Sequence, residues 1–457
     1  MTLDAQAVDE LRQSLPDGVV VTHLDAVEKY RHDWSHDPSA GTPVAVVRAE
    51  DAGQVQTAMR WASAHGVPVV PRGAGSGLSG GSSAVDGGIV LSLERMTAIE
   101  IDTACQVAVV QPGAFNSDVK LAAGKEGLWY PPDPSSFEIC SIGGNVATNA
   151  GGLCCVKYGV TTDYVLGLDV VLAEGTLVTL GGKRIKDVAG LSLLKLFVGS
   201  EGTLGIVTRA ILRLVPAQAT RSTLVATFPT VHAAAQAVVA MRSTMRPCLC
   251  ELMDRASINA VEDFRPMGLD RAAGALLLTQ SDAPGEARAL EMATMEAACR
   301  TSGATECFVT DDPDEGELFV AARRASFPAL EQRGALLLED VGVPIPLLPD
   351  LLDAIGQVAS RWDVEIPVVA HAGDGNTHPN IVYDAADPDS ERRARSAFGE
   401  VMAAAIALGG TITGEHGVGK AKAVALPAQL GDDVMDLTRR IKDALDPQGI
   451  LNPGAIL

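Results

Sequence analysis

Residues 67–82 read VPVVPRGAGSGLSGGS, and within them Gly75-x-Gly77-x-x-Gly80 spells the fingerprint of a dinucleotide-binding turn. The fingerprint carries that meaning only where its glycines close a strand and open a helix, whose N-terminus then receives a pyrophosphate. The strand is present, since Gly66-Val-Pro-Val-Val reads as short and buried. The helix is missing: Gly80-Gly-Ser-Ser-Ala-Val-Asp-Gly-Gly runs straight into Ile89-Val-Leu-Ser-Leu, a second strand. These glycines therefore join strand to strand, which weakens a nicotinamide-enzyme reading.

The flanking sequence has the same texture. Pro43-Val-Ala-Val-Val is apolar and rich in β-formers, and Val55, Met59 and Ala62 form a helical stripe closed by Gly66. Ile99-Glu-Ile-Asp and Val107-Ala-Val-Val predict a hairpin around Thr103-Ala-Cys-Gln. Residues 131–152, PPDPSSFEICSIGGNVATNAGG, form a second region crowded with Pro, Gly, Ser and Asn and without periodicity. Long aperiodic stretches inside compact domains are usually functional. Val165 to Leu180 then reads as strand, glycine turn and strand. Near residue 217 the texture shifts to Ala-rich helical segments (231–243, 285–301) interspersed with strands. The predicted organisation is an N-terminal helical segment, 1–42, with an amphipathic helix near Asp4 to Leu15; a glycine-rich strand domain, 43–217; a second domain, 218–410; and a closing segment, 411–457, that returns to the first.

Bulk properties set limits. A chain of 457 residues holds two or three cores. Its formal charge of -21 repels phosphate backbones and anionic lipid, so nucleic acid is excluded as a partner. The N-terminus lacks the basic start and apolar core of a secretion signal. The run at Val401-Met-Ala-Ala-Ala-Ile-Ala-Leu falls short of the ~20 residues of a membrane span. A cytoplasmic location, with peripheral membrane attachment left open, is the expectation. The eight cysteines show no Cys-x-x-Cys spacing, which speaks against zinc knuckles and iron-sulfur frames and suits a reducing compartment.

A glycine loop between strands can still bind pyrophosphate through inward-turned N–H groups, the missing Cβ allowing close approach. Two such loops occur, at 72–82 and 141–152, both furnished with hydroxyl or amide side chains: Ser76, Ser79, Ser82, Ser141, Asn145, Thr148 and Asn149. Arg72 is the one cation of the first loop. One such loop would be explained equally well as a tight turn; two in one domain favour a cofactor cradle.

Pro71-Arg-Gly-Ala-Gly-Ser-Gly-Leu-Ser-Gly-Gly, Gly143-Gly-Asn-Val-Ala-Thr-Asn-Ala-Gly-Gly and Gly199-Ser-Glu-Gly-Thr-Leu-Gly-Ile-Val-Thr resemble the FAD-binding domain of the vanillyl-alcohol oxidase and p-cresol methylhydroxylase superfamily. Within it the chain resembles the FAD-linked D-2-hydroxyacid dehydrogenase branch, which holds D-lactate dehydrogenases, glycolate oxidase flavin subunits and D-2-hydroxyglutarate dehydrogenases. The resemblance runs from about Pro43 to the C-terminus. It implies an α+β fold: a two-subdomain FAD-binding domain of the p-cresol methylhydroxylase type, plus an α+β cap domain with an antiparallel sheet. It further implies that Pro71, Arg72, Gly73, Ala74, Gly75, Ser76 and Gly77 wrap the FAD pyrophosphate, with Ser82 and Ser141 beside them. Pro132, Ser135, Gly144, Asn145, Thr148 and Gly152 would line the adenosine and isoalloxazine side, and Ile206 and Asn452 would also touch FAD. Some relatives bind FAD covalently through a histidine in the first loop; here Ser76 stands in its place, so non-covalent FAD is expected.

The second half carries further chemistry. Ile366 to His371 reads as a strand, Ala372-Gly-Asp-Gly-Asn-Thr as a turn and His378-Pro-Asn380-Ile-Val as the return strand. A hairpin closed there sets His371 opposite His378, with Cβ atoms about 5 Å apart, and puts Asn380 on the face of His378. Thr411-Ile-Thr-Gly-Glu415-His416-Gly-Val-Gly-Lys420 adds a carboxylate and a third imidazole. Three of the eight histidines thus fall in two short glycine-rich motifs. Two histidines and a carboxylate suit zinc, manganese or iron with positions left open. Gly414-x-x-x-x-Gly419-Lys420 imitates a P-loop, but Ala421 replaces the required Ser or Thr.

The resemblance implies that His371, His378 and Glu415 ligate one divalent metal, zinc first, with Asn380 assisting at the substrate and His416 as general base. The metal would bind the substrate hydroxyl and a carboxylate oxygen, His416 would take the proton, and the C2 hydride would pass to flavin N5. Arg323 would pair with the substrate carboxylate, Arg324 being its rival, with Lys420 a weaker candidate. Leu338 stands where D-2-hydroxyglutarate dehydrogenases are expected to carry a lysine, and Phe327 where a small polar residue is expected. Both point to a smaller or more apolar acid, D-lactate first, with glycolate and D-2-hydroxyglutarate as alternatives. The electron acceptor would be a quinone, a cytochrome or an electron-transfer flavoprotein. A homodimer or partner subunits fit the branch. The competing reading is a flavin subunit engaged only in electron transfer or assembly.

Overall fold

The computed structural model describes residues 5–457. The chain divides into two compact units. Met1–Gly151, Val160–Ala217 and Glu415–Leu457 make up the first, Gly152–Gly159 and Gln218–Gly414 the second.

The first unit contains two larger sheets and a two-stranded one that pairs Leu128–Trp129 with Val215–Pro216. In the four-stranded one, Val20–Val21 pairs antiparallel with Ala45–Arg48, which lies parallel to Ile89–Ser92, itself parallel to Val69–Arg72. Helix Ala52–His65 connects Ala45–Arg48 to Val69–Arg72. Asp51 caps its start by accepting the Gln54 N–H, and Gly66 ends it at φ 63°. Its buried Val55, Ala58, Met59 and Ala62 recur at helical spacing and pack on the sheet. Parallel neighbours need a long connection. From Arg72 to Ile89 that connection is the glycine-rich loop itself, with no helix in it. The chain's end returns to this sheet: Leu451 bridges Val69 in parallel, and the Asn452 N–H donates to the Val69 carbonyl at 2.8 Å.

The other larger sheet is antiparallel, in the order Ile99–Asp102, Val107–Val110, Ile206–Arg213, Val165–Val171, Leu177–Gly181. The hairpin around residues 103–106 forms as read, Asp102 pairing with Val107. Its apolar face takes Val119 from helix Asn116–Lys125 and Ile142 and Val146 from helix Ile142–Thr148. That short helix sits inside the stretch read as aperiodic. Ser141 caps it and Asn149 ends it at φ 53°. With Gly143, Gly144 and Asn145 in its first turns it shows no apolar stripe, and so no helical signal, in the sequence.

The second unit is built on an eight-stranded antiparallel sheet. Strand Leu249–Asp254 pairs with Ala275–Ser281 on one side and with Val368–His371 on the other; the latter pairs in turn with Asn376–Tyr383. One face, including Leu249, Met253, Leu278 and Val369, packs against Ile258 and Val261 of helix Arg255–Phe264 and Val320 of helix Pro313–Arg324. Residues 152–159 interrupt the first unit to join the second. Lys157 and Tyr158 both hold the buried Asp282 carboxylate, to which the Gln218 amide also donates at 2.9 Å.

Candidate active site

In the first unit the two glycine loops meet. The Ser141 hydroxyl accepts the Ala74 N–H at 3.1 Å and also caps its own helix through the Gly144 N–H. A Cβ on Gly73 would lie 2.2 Å from that hydroxyl. Gly75, at φ 75°, lies so close under the Arg72 guanidinium that a Cβ there would stand 2.0 Å from Nη2. Neither position has room for a side chain. Arg72 is 9 % exposed, and burial pulls its pKa below the usual arginine value, opposed by the nearby Asp33 carboxylate. A buried guanidinium beneath bare backbone is the local positive charge that an acidic protein needs to hold a pyrophosphate.

The other cofactor candidates are placed as follows. Ser82 is held by Asp33, whose Oδ2 accepts its N–H at 3.2 Å. Asn145 and Pro132 converge on Asn116, whose amide donates to Asn145 Oδ1 at 3.0 Å and to the Pro132 carbonyl at 3.2 Å. Thr148 donates back to the Gly144 carbonyl of its own helix. Ser135 is exposed on the turn before Cys140. Ile206 opens its strand, buried and opposite Val171. Gly152 begins the segment that belongs to the second unit. Asn452 donates to the carbonyls of Gly81 at 2.8 Å and Glu201 at 2.7 Å.

The loop carrying His416 is fastened to the first glycine loop. Ser79 Oγ donates to the Gly417 carbonyl at 2.9 Å, and the Ser79 carbonyl accepts the N–H groups of Lys420 and Ala421. Glu201, buried, accepts the Val418 N–H at 2.7 Å and the Gly419 N–H at 2.8 Å. Desolvation drives its pKa up to about 7 against the opposing effect of those two bonds, with Asp33 adding to the rise. His416 Nε2 lies 3.7 Å from Glu415 Oε1.

In the second unit the hairpin turns earlier than its sequence suggests. Asn376 already pairs, opposite His371, and His378 stands opposite Val369. The two histidines are therefore diagonal neighbours on one face, not direct partners. The turn is the shorter Ala372-Gly-Asp-Gly, in which Gly375 at φ 87° packs so tightly under the Val343 carbonyl that a Cβ would lie 2.2 Å from it. The diagonal still brings the buried rings together, centroids 5.0 Å apart and nearly perpendicular at 87°. Asn380 shares that face, but its amide is committed to the carbonyls of His378 at 2.8 Å and Pro367 at 3.4 Å, so it steadies the strand. Asp340 Oδ1 lies 3.6 Å from His378 Nδ1, while its Oδ2 accepts the Gly414 N–H at 2.9 Å, one residue before Glu415 in the chain.

Arg323 is 5 % exposed and its Nε lies 2.8 Å from Glu251 Oε2, whereas Arg324 pairs with Glu317. Among the described residues Arg323 Nη2 is buried without a hydrogen-bond partner. Its surroundings leave it suited to an incoming carboxylate. Leu338 pairs with Asn380 across the sheet and so lies on the His378 face, where it offers no cation.

Four contributors escape a reading by motif: Asp33, Asn116, Glu201 and Glu251. Glu251 and Glu201 had a signal. The first is a charge inside the apolar strand CLCELM, the second a carboxylate inside Gly199-Ser-Glu-Gly. No spacing rule links Asp33 or Asn116 to their partners.

Comparison with known proteins shows the family of the chain. Residues 217–456 match the model of the C-terminal domain of FAD linked oxidases, and residues 43–181 match an FAD binding domain. The chain is 41 % identical over 440 residues to the glycolate oxidase subunit GlcD of Bacillus subtilis (strain 168), covering 96 % of this chain and 92 % of that one. It is 34 % identical over 455 residues to a D-lactate dehydrogenase of Archaeoglobus fulgidus, covering 98 % and 99 %. The crystal structure of p-cresol methylhydroxylase with substrate bound superposes with a TM-score of 0.84 at 18 % identity over 99 % of this chain and 96 % of the other, a likeness of fold.

Proposed function

Because the chain belongs to the family of FAD-linked oxidases, we propose that it dehydrogenates a small 2-hydroxyacid to the 2-oxoacid, D-lactate first and glycolate second. The observation that carries the substrate class is Arg323 Nη2, a buried donor without a partner among the described residues, on the same unit as the paired imidazoles. Leu338 on the His378 face supports a substrate with one carboxylate over one with two. Relatives named glycolate oxidase subunit and D-lactate dehydrogenase support the same class.

FAD would be held non-covalently by the loops at 72–82 and 141–149 and would supply the hydride acceptor. A divalent metal, zinc first and manganese or iron as alternatives, would be held by His371, His378 and Glu415 and would supply a Lewis acid to the hydroxyl. The donor set fits such an ion, with two buried imidazoles side by side. Within this scheme Arg323 orients the acid by its carboxylate. His416, on a loop clamped by Ser79 and Glu201, takes the hydroxyl proton, a task suited to an imidazole as general base. Asn380 keeps His378 in place. The electron acceptor would be a quinone, a cytochrome or an electron-transfer flavoprotein. Because one relative is named as an oxidase subunit, partner subunits are the second part of the proposal.

Anaerobic mixing of the FAD-loaded protein with D-lactate, L-lactate, glycolate and D-2-hydroxyglutarate tests it. D-Lactate or glycolate should bleach the flavin, and His416→Ala should abolish bleaching while retaining FAD. Bleaching by none of the four would favour a non-catalytic flavin subunit, and undiminished bleaching in the variant would remove His416 from the chemistry.

A further inference from the structure

Glu251 has no role in the scheme above, yet it touches two of its members. It lies in the middle of strand Leu249–Asp254, 1 % exposed. Both its oxygens approach His371 Nδ1, at 2.8 and 2.9 Å, and its Oε2 lies 2.8 Å from Arg323 Nε. The sheet makes this convergence unavoidable. Leu252 pairs with Ala370, so Glu251 and His371 are the next residues along, on the face that helix Pro313–Arg324 covers. A carboxylate buried there costs several kcal/mol unless it is paired and hydrogen-bonded. Here the charge is balanced by Arg323 and the hydrogen bond is made by His371.

Two consequences follow from donor and acceptor chemistry. An ionised carboxylate only accepts, so His371 Nδ1 must carry the proton and Nε2 must present the lone pair. The guanidinium, with its Nε edge against Glu251, keeps Nη2 as the buried unpartnered donor. We propose that Glu251 is a positioning residue that locks the His371 tautomer and the Arg323 fork against one another, so that metal and substrate carboxylate are held at one fixed spacing. The proposal rests on the reading that His371 ligates metal and Arg323 the substrate.

The test uses the full-length FAD-loaded protein and its Glu251→Gln and Glu251→Asp variants. Zinc affinity is measured by chelator competition, and KM and kcat on whichever hydroxyacid bleaches the flavin. The glutamine variant is expected to lose about 10- to 100-fold in zinc affinity and to raise KM by about tenfold or more, with FAD content unchanged. The aspartate variant should recover part of both. A merely structural role would lower FAD content and thermal stability without separating KM from kcat. Zinc held by the wild type, lost in His371→Ala and held equally well by Glu251→Gln would overturn the inference while sparing the metal reading. No zinc in the wild type would overturn both. Should Glu251→Gln fail to hold FAD, the aspartate variant decides, since it keeps the charge but withdraws the oxygens by one methylene; unchanged zinc affinity and KM there refute the role.

Discussion

Glu201 sits in surroundings that oppose its usual ionisation. It adopts φ 49°, a left-handed conformation uncommon without glycine, and turns its carboxylate inward to the N–H groups of Val418 and Gly419. Burial outweighs those bonds and lifts its pKa from 4.5 to about 7. A carboxyl with a raised folded pKa keeps its proton in the native state after the unfolded chain has released it, so stability is lost as pH rises from about 4.5 through about 7. Glu201→Gln removes this dependence. Relative to wild type, the variant should gain up to about 3 kcal/mol between pH 5 and pH 8 in urea unfolding, the sign being the firmer part. A difference between the two proteins that is flat with pH would show that Glu201 is ionised throughout.

At the scale of elements, the glycine-rich loop works through closeness to its partner loop. Gly73 leaves no space for a methyl beside the Ser141 hydroxyl, and Ser141 is bonded to both Ala74 and Gly144. Gly73→Ala is therefore expected to push the loops apart and to lower FAD occupancy several-fold, read as flavin absorbance per protein. In the wild type, acid precipitation should leave that flavin in the supernatant; flavin in the pellet would refute non-covalent binding. The loop itself was legible because two strands flank it with no room for a helix. The helix at Ile142–Thr148 was not, since its glycines erase the apolar periodicity and only the Ser141 cap and the packing of Ile142 and Val146 hold it. The histidine hairpin shows the same division. Strand and turn could be read, whereas the register depended on how Gly375 packs under the Val343 carbonyl.

For the whole molecule, the chain is threaded between two units. Residues 152–159 leave the first unit to pair Lys157 and Tyr158 with Asp282 of the second, and Glu415–Leu457 returns to the first. In the proposed scheme the first unit carries the glycine loops and His416, and the second carries the paired imidazoles and Arg323. Prolonged chelation is accordingly expected to leave the FAD absorbance intact while lowering flavin reduction at least tenfold, with about one equivalent of metal restoring it. Full activity in metal-free protein would refute the ligand assignment. Among the described residues no helix is long and apolar enough to cross a membrane.

Local spelling sufficed for the cofactor, because the bare loops, Arg72 and the flanking strands are neighbours in sequence and their chemistry is stated there. It sufficed to put His371 and His378 on one hairpin, whereas their meeting on one face needed the observed register, since a shift of one residue would turn one ring to the other face. It could not assign Glu251 to His371 and Arg323, 120 residues from the first. Long-range pairing is set by strand order and burial, which place a mid-strand carboxylate beside an imidazole and beneath a guanidinium. The fingerprint at residues 75–80 changes meaning for the same reason: its glycines join the parallel strands Val69–Arg72 and Ile89–Ser92 with no helix between them, and Gly80 lies beside Lys420 of the His416 loop.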